Sequence, residues 1–159
     1  MTSPSANLVA ASDPATGAER HASILTMRVY YEDTDAAGIV YYANYLKFAE
    51  RARTEMLRTI DPRYCDPTTS HGIAFAVRHC TADFIAPARL DDLIEIHTHI
   101  LNVSGATFSL EQVIKRDGVD LVRLIVRLAC INAAGRAARI PPGLRMRLGD
   151  GTSRTQRSG

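Results

Sequence analysis

Asp33 and Asp35, with Glu32 beside them, lie in the stretch VYYEDTDAAGIVYYANY that runs from Val29 to Tyr45. A carboxylate there is a candidate base or nucleophile. A helix beginning at Asn44 would set unpaired backbone N–H groups next to it, because the first turn of an α-helix has no internal acceptors for its amides. Attack on a carbonyl carbon needs both parts: one delivers or activates the nucleophile, the other holds the developing oxyanion. Gly38 permits a tight turn of positive φ that folds the Asp35 carboxylate back over the helix start. Ile39 and Val40 predict a dry setting, in which a carboxylate keeps its reactivity. Residue type alone leaves a second reading open, in which Asp33 and Asp35 only shape the turn by bonding their own backbone.

Two elements must position this loop. Ile24 to Tyr31 alternates as a strand, with Leu25, Met27 and Val29 on one face. From Asn44 to about Thr59 the period becomes helical: Tyr45, Phe48, Ala49, Ala52 and Met56 form one stripe, and Asn44 is a plausible N-cap. Glu50 and Arg53 stand at pairing distance on the outer side. Asp61-Pro62 ends the helix. Four further strands are predicted: Ile73 to Ile85, Leu93 to Val103, Thr107 to Arg116 and Val119 to Asn132. Asp117-Gly118 is a strong two-residue hairpin signal, and the four strands read as a consecutive meander. In the last of them Val122, Leu124, Val126, Leu128 and Cys130 face the helix, while Arg123 and Arg127 face outward. The fold class is α+β, a long helix wrapped by a curved antiparallel sheet of about five strands.

Composition narrows the function classes. The 159 residues carry a net charge of +2 and 46% hydrophobic residues, with no tryptophan. Six arginines against one aspartate put +5 in residues 136–159, and the first 22 residues carry −1, which leaves −2 for the body. A weakly acidic body argues against a nucleic-acid face, while the basic tail suits phosphate or an anionic membrane surface as a peripheral contact. Residues 1–22 read as a disordered arm, 23–142 as the folded domain and 143–159 as a disordered basic tail. Cys65, Cys80 and Cys130 form no CxxC pair, which fits a reducing cytoplasm rather than a disulfide framework or zinc site. His97 and His99 share a strand face but lack a third ligand, so they read as surface residues. No metal or cofactor is expected.

Arg28-Val29, then four residues, Thr34-Asp35, two residues, Gly38-Ile39-Val40, one residue, Tyr42, two residues and Tyr45 resemble the signature of the 4-hydroxybenzoyl-CoA thioesterase family of hotdog-fold enzymes. The longer run YYEDTDAAGIVYYANYLKFAERARTEML, and later APARLDD, are similar to its YbgC branch of acyl-CoA thioesterases, which is linked with the bacterial Tol-Pal system. The likeness spans Met27 to Pro141. It implies hydrolysis of an acyl-CoA to a carboxylic acid and CoA, without a cofactor. Asp35 would be the nucleophile or the general base, and the backbone N–H of Tyr42 would polarise the thioester carbonyl. Gly38, Val40 and Tyr41 take the substrate-binding positions. Tyr42 departs from the YbgC branch, which usually has His there. The resemblance further implies a homodimer joined edge to edge, often doubled to a tetramer, with substrate between subunits. Two alternatives remain: a weakly catalytic module that binds acyl carrier protein or a lipid-synthesis partner near the membrane, and a hotdog dehydratase, whose usual His-containing helix motif is absent.

Overall fold

The computed structural model describes residues 7–12, 19–66 and 68–149. Six strands form one antiparallel sheet: β1 (Asn7–Ser12), β2 (Glu19–Arg28), β3 (Ala74–Phe84), β4 (Leu93–Val103), β5 (Thr107–Arg116) and β6 (Val119–Ile131). A long helix, α1 (Asn44–Ile60), lies between β2 and β3 in sequence, and a short one, α2 (Pro142–Leu148), closes the described chain.

The helix forms where the period of 3.6 predicts it, and its expected stripe of Tyr45, Phe48, Ala49, Ala52 and Met56 is buried. This stripe meets Ile94 and Ile96 of β4, Leu110 and Ile114 of β5 and the predicted inner face of β6 in one core. Each fully buried side chain of this size contributes about 1.5–3 kcal/mol of transfer free energy, so the stripe fixes the helix against the sheet. Beneath it Gln112 is fully buried, donating through Nε2 to the Ala49 carbonyl at 2.9 Å and to Thr98 Oγ1 at 3.0 Å. The Asp117-Gly118 turn is present, with positive φ at both residues (51° and 76°).

Strand order corrects the meander. The sheet runs β1-β2-β4-β5-β6-β3, so of the four strands read as a meander only β4, β5 and β6 are consecutive neighbours, and β3 pairs with β6 at the far edge. The connection from Ile85 to Asp92 crosses to β4 on the other side of β5 and β6. Local turn chemistry does not encode that choice of partner. Five strands wrap the helix as expected, and β1 is a sixth, paired to β2.

Two other departures lie at the ends. β1 and the start of β2 fall within the arm read as disordered; main-chain pairing of Asn7–Ser12 with β2 extends the sheet edge there. The segment from Pro142 to Leu148 is helical and buries Leu144 and Leu148, four residues apart. It is tied down by Asp61, at the end of α1, whose carboxylate is nearly fully buried and accepts from Arg63 at 2.6 Å and from Arg147 of α2 at 3.0 Å. The Arg63 hydrogen bonds, supported by Arg147, lower the Asp61 pKa to about 2. The remainder of the basic tail, 150–159, lies outside the described residues.

Candidate active site

Past β2 the chain makes a compact loop. Tyr31–Asp33 form one 3₁₀ turn, and Asp33 turns its carboxylate inward, where Oδ2 accepts the Tyr30 N–H at 2.9 Å. A reverse turn follows: Gly38 N–H donates to the Asp35 carbonyl at 3.0 Å and Asp35 N–H to that of Ile39 at 2.9 Å. Gly38 has φ +76°, a conformation that any Cβ would strain. The loop leans on the connection before β4, with Val40 N–H donating to the Ala88 carbonyl at 2.9 Å.

The helix start is held from the same loop. The Asp33 carbonyl accepts both the Tyr41 N–H and Asn44 Nδ2, each at 2.9 Å. Asn44 is therefore not the N-cap: Ala43 precedes the helix, in a helical conformation and with no side-chain cap, and Asn44 reaches back as the first helical residue. Ala88 N–H donates to the buried Tyr45 hydroxyl at 2.9 Å, which clamps the first turn to the β3–β4 connection. Burial raises the Tyr45 pKa. Among the described residues no hydrogen bond occupies the Tyr42 N–H. It is a fixed, unused donor at the helix N-terminus.

Asp35 is exposed in the single chain, and its Oδ1 accepts the Ala37 N–H at 2.8 Å. It thus makes the turn contact of the alternative reading, while Oδ2 has no partner among the described residues. The dry setting expected from Ile39 and Val40 is not supplied by one chain, because Val40 is buried in the core and Ile39 only half-buried. Tyr41 and Tyr42 are exposed, with the Tyr42 ring set edge-on to Phe84 at 6.0 Å. Asp33 joins the loop to the helix start through its carbonyl, which sequence reasoning did not single out. The roles of Asn44, Ala88 and Phe84 were missed; the polar Asn44 at the end of the motif was the signal available.

Farther along α1, Glu50 and Arg53 do not pair with each other. Glu50 Oε1 accepts the Thr54 hydroxyl at 2.7 Å, and Arg53 Nη1 donates to Gln112 Oε1 at 3.0 Å. Burial lowers the Arg53 pKa. Both border a cavity of about 370 Å³, otherwise lined mainly by apolar side chains. His97 Nε2 lies 2.9 Å from Glu95 Oε2, an exposed pairing.

Comparison with known proteins identifies the chain. Residues 37–122 match the model of the thioesterase superfamily. The chain belongs to that superfamily. It is 43% identical over 106 residues to the acyl-CoA thioesterase YbgC of Haemophilus influenzae, covering 67% of this chain and 78% of that protein. It is 40% identical over 117 residues to the acyl-CoA thioester hydrolase YbgC of Escherichia coli, covering 73% and 87%. Among solved structures, a probable thioesterase from Bartonella henselae superposes with a TM-score of 0.70 at 38% identity, over 77% of this chain and 99% of that one. The fold is the hotdog fold, and the protein is a thioester hydrolase.

Proposed function

We infer that the chain hydrolyses acyl-CoA thioesters, with Asp35 as nucleophile or general base and the Tyr42 N–H as the donor to the thioester oxygen. The observation that supports this most is the unoccupied Tyr42 amide, tied through the Asp33 carbonyl to the loop that bears Asp35. The naming of both YbgC relatives for acyl-CoA thioester hydrolysis supports the substrate class. In the general-base route Asp35 takes a proton from water as the water oxygen bonds to the carbonyl carbon; the C–S bond then breaks and CoA leaves as the thiolate. In the nucleophilic route the carboxylate attacks first, CoA leaves, and water cleaves the resulting anhydride. A positioned base contributes about 10²- to 10⁴-fold, and one donor of this kind about 3–4 kcal/mol.

Exposure of Asp35 argues for a homodimer that covers it. The outer edge of β3 pairs with no strand among the described residues, and Tyr31, Tyr42, Phe84 and Ile85 leave large apolar surfaces nearby. A long unpaired edge beside an apolar patch suits pairing with a second copy. Cys65, Cys80 and Cys130 are free thiols, in keeping with a cytoplasmic setting.

The test is Asp35→Asn assayed for CoA release on a panel of acyl-CoAs. The expected result is a loss of about 10²-fold or more in kcat, with an unchanged circular dichroism spectrum. Most of the activity surviving would remove Asp35 from the chemistry. No CoA release by the unaltered protein, with tight binding of acyl carrier protein, would favour the binding module. Label in the Asp35 carboxylate after a single turnover in ¹⁸O-water identifies the nucleophilic route with water adding at the Asp35 side of the anhydride, whereas water adding at the acyl carbon labels the product acid in either route.

A further inference from the structure

The side of α1 that faces β3 forms a track leading away from the Tyr42 amide. Tyr42, Leu46, Glu50, Arg53 and Leu57 follow one another at spacings of three and four, so they lie along one side of the helix and its lead-in. On β3, Phe75, Val77, Cys80, Ala82 and Phe84 stand opposite Cys130, Leu128, Val126, Leu124 and Val122 of β6 and share their inward face. The β6 residues are buried, whereas Val77, Cys80 and Phe84 are exposed although they point to the helix side. The space between α1 and β3 is therefore an open cleft. At the catalytic end Phe84 lines it beside Tyr42 and Tyr45, with ring centroids 6.0 Å and 5.9 Å apart. At the other end it opens into the cavity of about 370 Å³, where Met56, Leu57, Phe75, Phe108 and Leu128 are among the walls.

We propose that this cleft and cavity hold the acyl chain of the substrate, and that the substrate class is a long, linear aliphatic acyl thioester. The proposal rests on the reading of Asp35 and Tyr42 given above. At about 1.5 Å per helical residue, the cavity begins about 12 Å from Tyr42, at Glu50, and ends about 22 Å away, at Leu57. A membrane-lipid acyl chain spans half of a hydrocarbon layer about 30 Å thick, or about 15 Å, so its end falls inside the cavity. A butanoyl or benzoyl group stops short of it. The one cation on the track is turned aside: Arg53 is drawn to the buried Gln112, leaving its methylenes toward the cleft. The volume and apolar lining are those of a small-molecule site.

The test is kcat/KM across butanoyl-, octanoyl-, dodecanoyl-, palmitoyl- and benzoyl-CoA for the full chain, with thermal melting to confirm folding of each variant. Values should rise about fourfold per methylene once the chain reaches the cavity. Leu57→Trp, which fills the far end, should lower the ratio of palmitoyl to butanoyl kcat/KM at least about tenfold. Thr54→Trp, nearer the catalytic loop, should move the cut-off to shorter chains. A flat profile, a benzoyl preference, or a plug that leaves the ratio unchanged overturns the acyl track while Asp35-dependent turnover still stands. Absence of turnover on every thioester overturns both readings.

Discussion

Asn44 Nδ2 donates to the carbonyl of Asp33 at 2.9 Å across eleven residues of chain, joining the acidic turn to the first turn of α1. The same carbonyl takes the Tyr41 N–H, so one acceptor sets the position of the Tyr42 amide relative to Asp35. A displacement of about 1 Å between reacting groups can cost about 10²-fold in rate, so on the proposed roles of Asp35 and the Tyr42 amide this contact would act on catalysis without touching substrate.

Asn44→Ala should therefore lower kcat about 10- to 100-fold, with a smaller change in KM and a stability loss of about 1 kcal/mol for the hydrogen bond. Steady-state kinetics beside urea denaturation separate the two effects. A variant that loses stability but keeps kcat would make Asn44 purely structural.

Tyr42→Ala keeps the backbone N–H and removes only an exposed ring. Hydrolysis should stay within about tenfold of the unaltered enzyme, against the 10²- to 10³-fold lost when an oxyanion donor is removed. A loss of that larger size would assign the role to the phenol.

Tyr45→Phe deletes the acceptor of a buried N–H, that of Ala88. An unsatisfied buried donor costs about 1–3 kcal/mol, to be read as a lower urea midpoint with an unchanged slope.

Asp61 sets an acid limit. Its pKa is lowered to about 2 from an ordinary 3.8, first by the Arg63 hydrogen bond and then by other contacts that include Arg147. A depressed carboxyl stabilises the fold fully above its unfolded value, and that stabilisation is lost as pH falls from about 4 through 2. Asp61→Asn should lower the melting temperature at neutral pH and flatten its fall over that window. An undiminished acid slope in the variant would place the acid sensitivity elsewhere.

The helix stripe, the inner face of β6 and the Asp117-Gly118 turn were legible because each follows from local period or backbone chemistry. The partner of β3 was not, since the alternation of Ile73 to Ile85 suits either edge of the sheet and the choice is made by tertiary packing. Arg53 was read as a partner for Glu50 from helix spacing; the buried Gln112, remote in sequence, draws it inward instead. Asp35 and Gly38 stood out by motif. The work of Asp33 was hidden because it is done by a backbone carbonyl, which every residue has.

Between Val77 and His79 the register of β3 on β6 shifts by one residue, so Arg78 is an extra residue in the strand. The irregularity works like a phase correction: Phe75 and Val77 before it, and Cys80, Ala82 and Phe84 after it, all show the same side to α1. With Arg78 kept and the bulge straightened, the strand would alternate evenly and its two halves would be out of step. Either Phe84 would then turn from Tyr42 or Phe75 from the cavity, whereas deleting Arg78 removes the extra residue and leaves both on the side of α1.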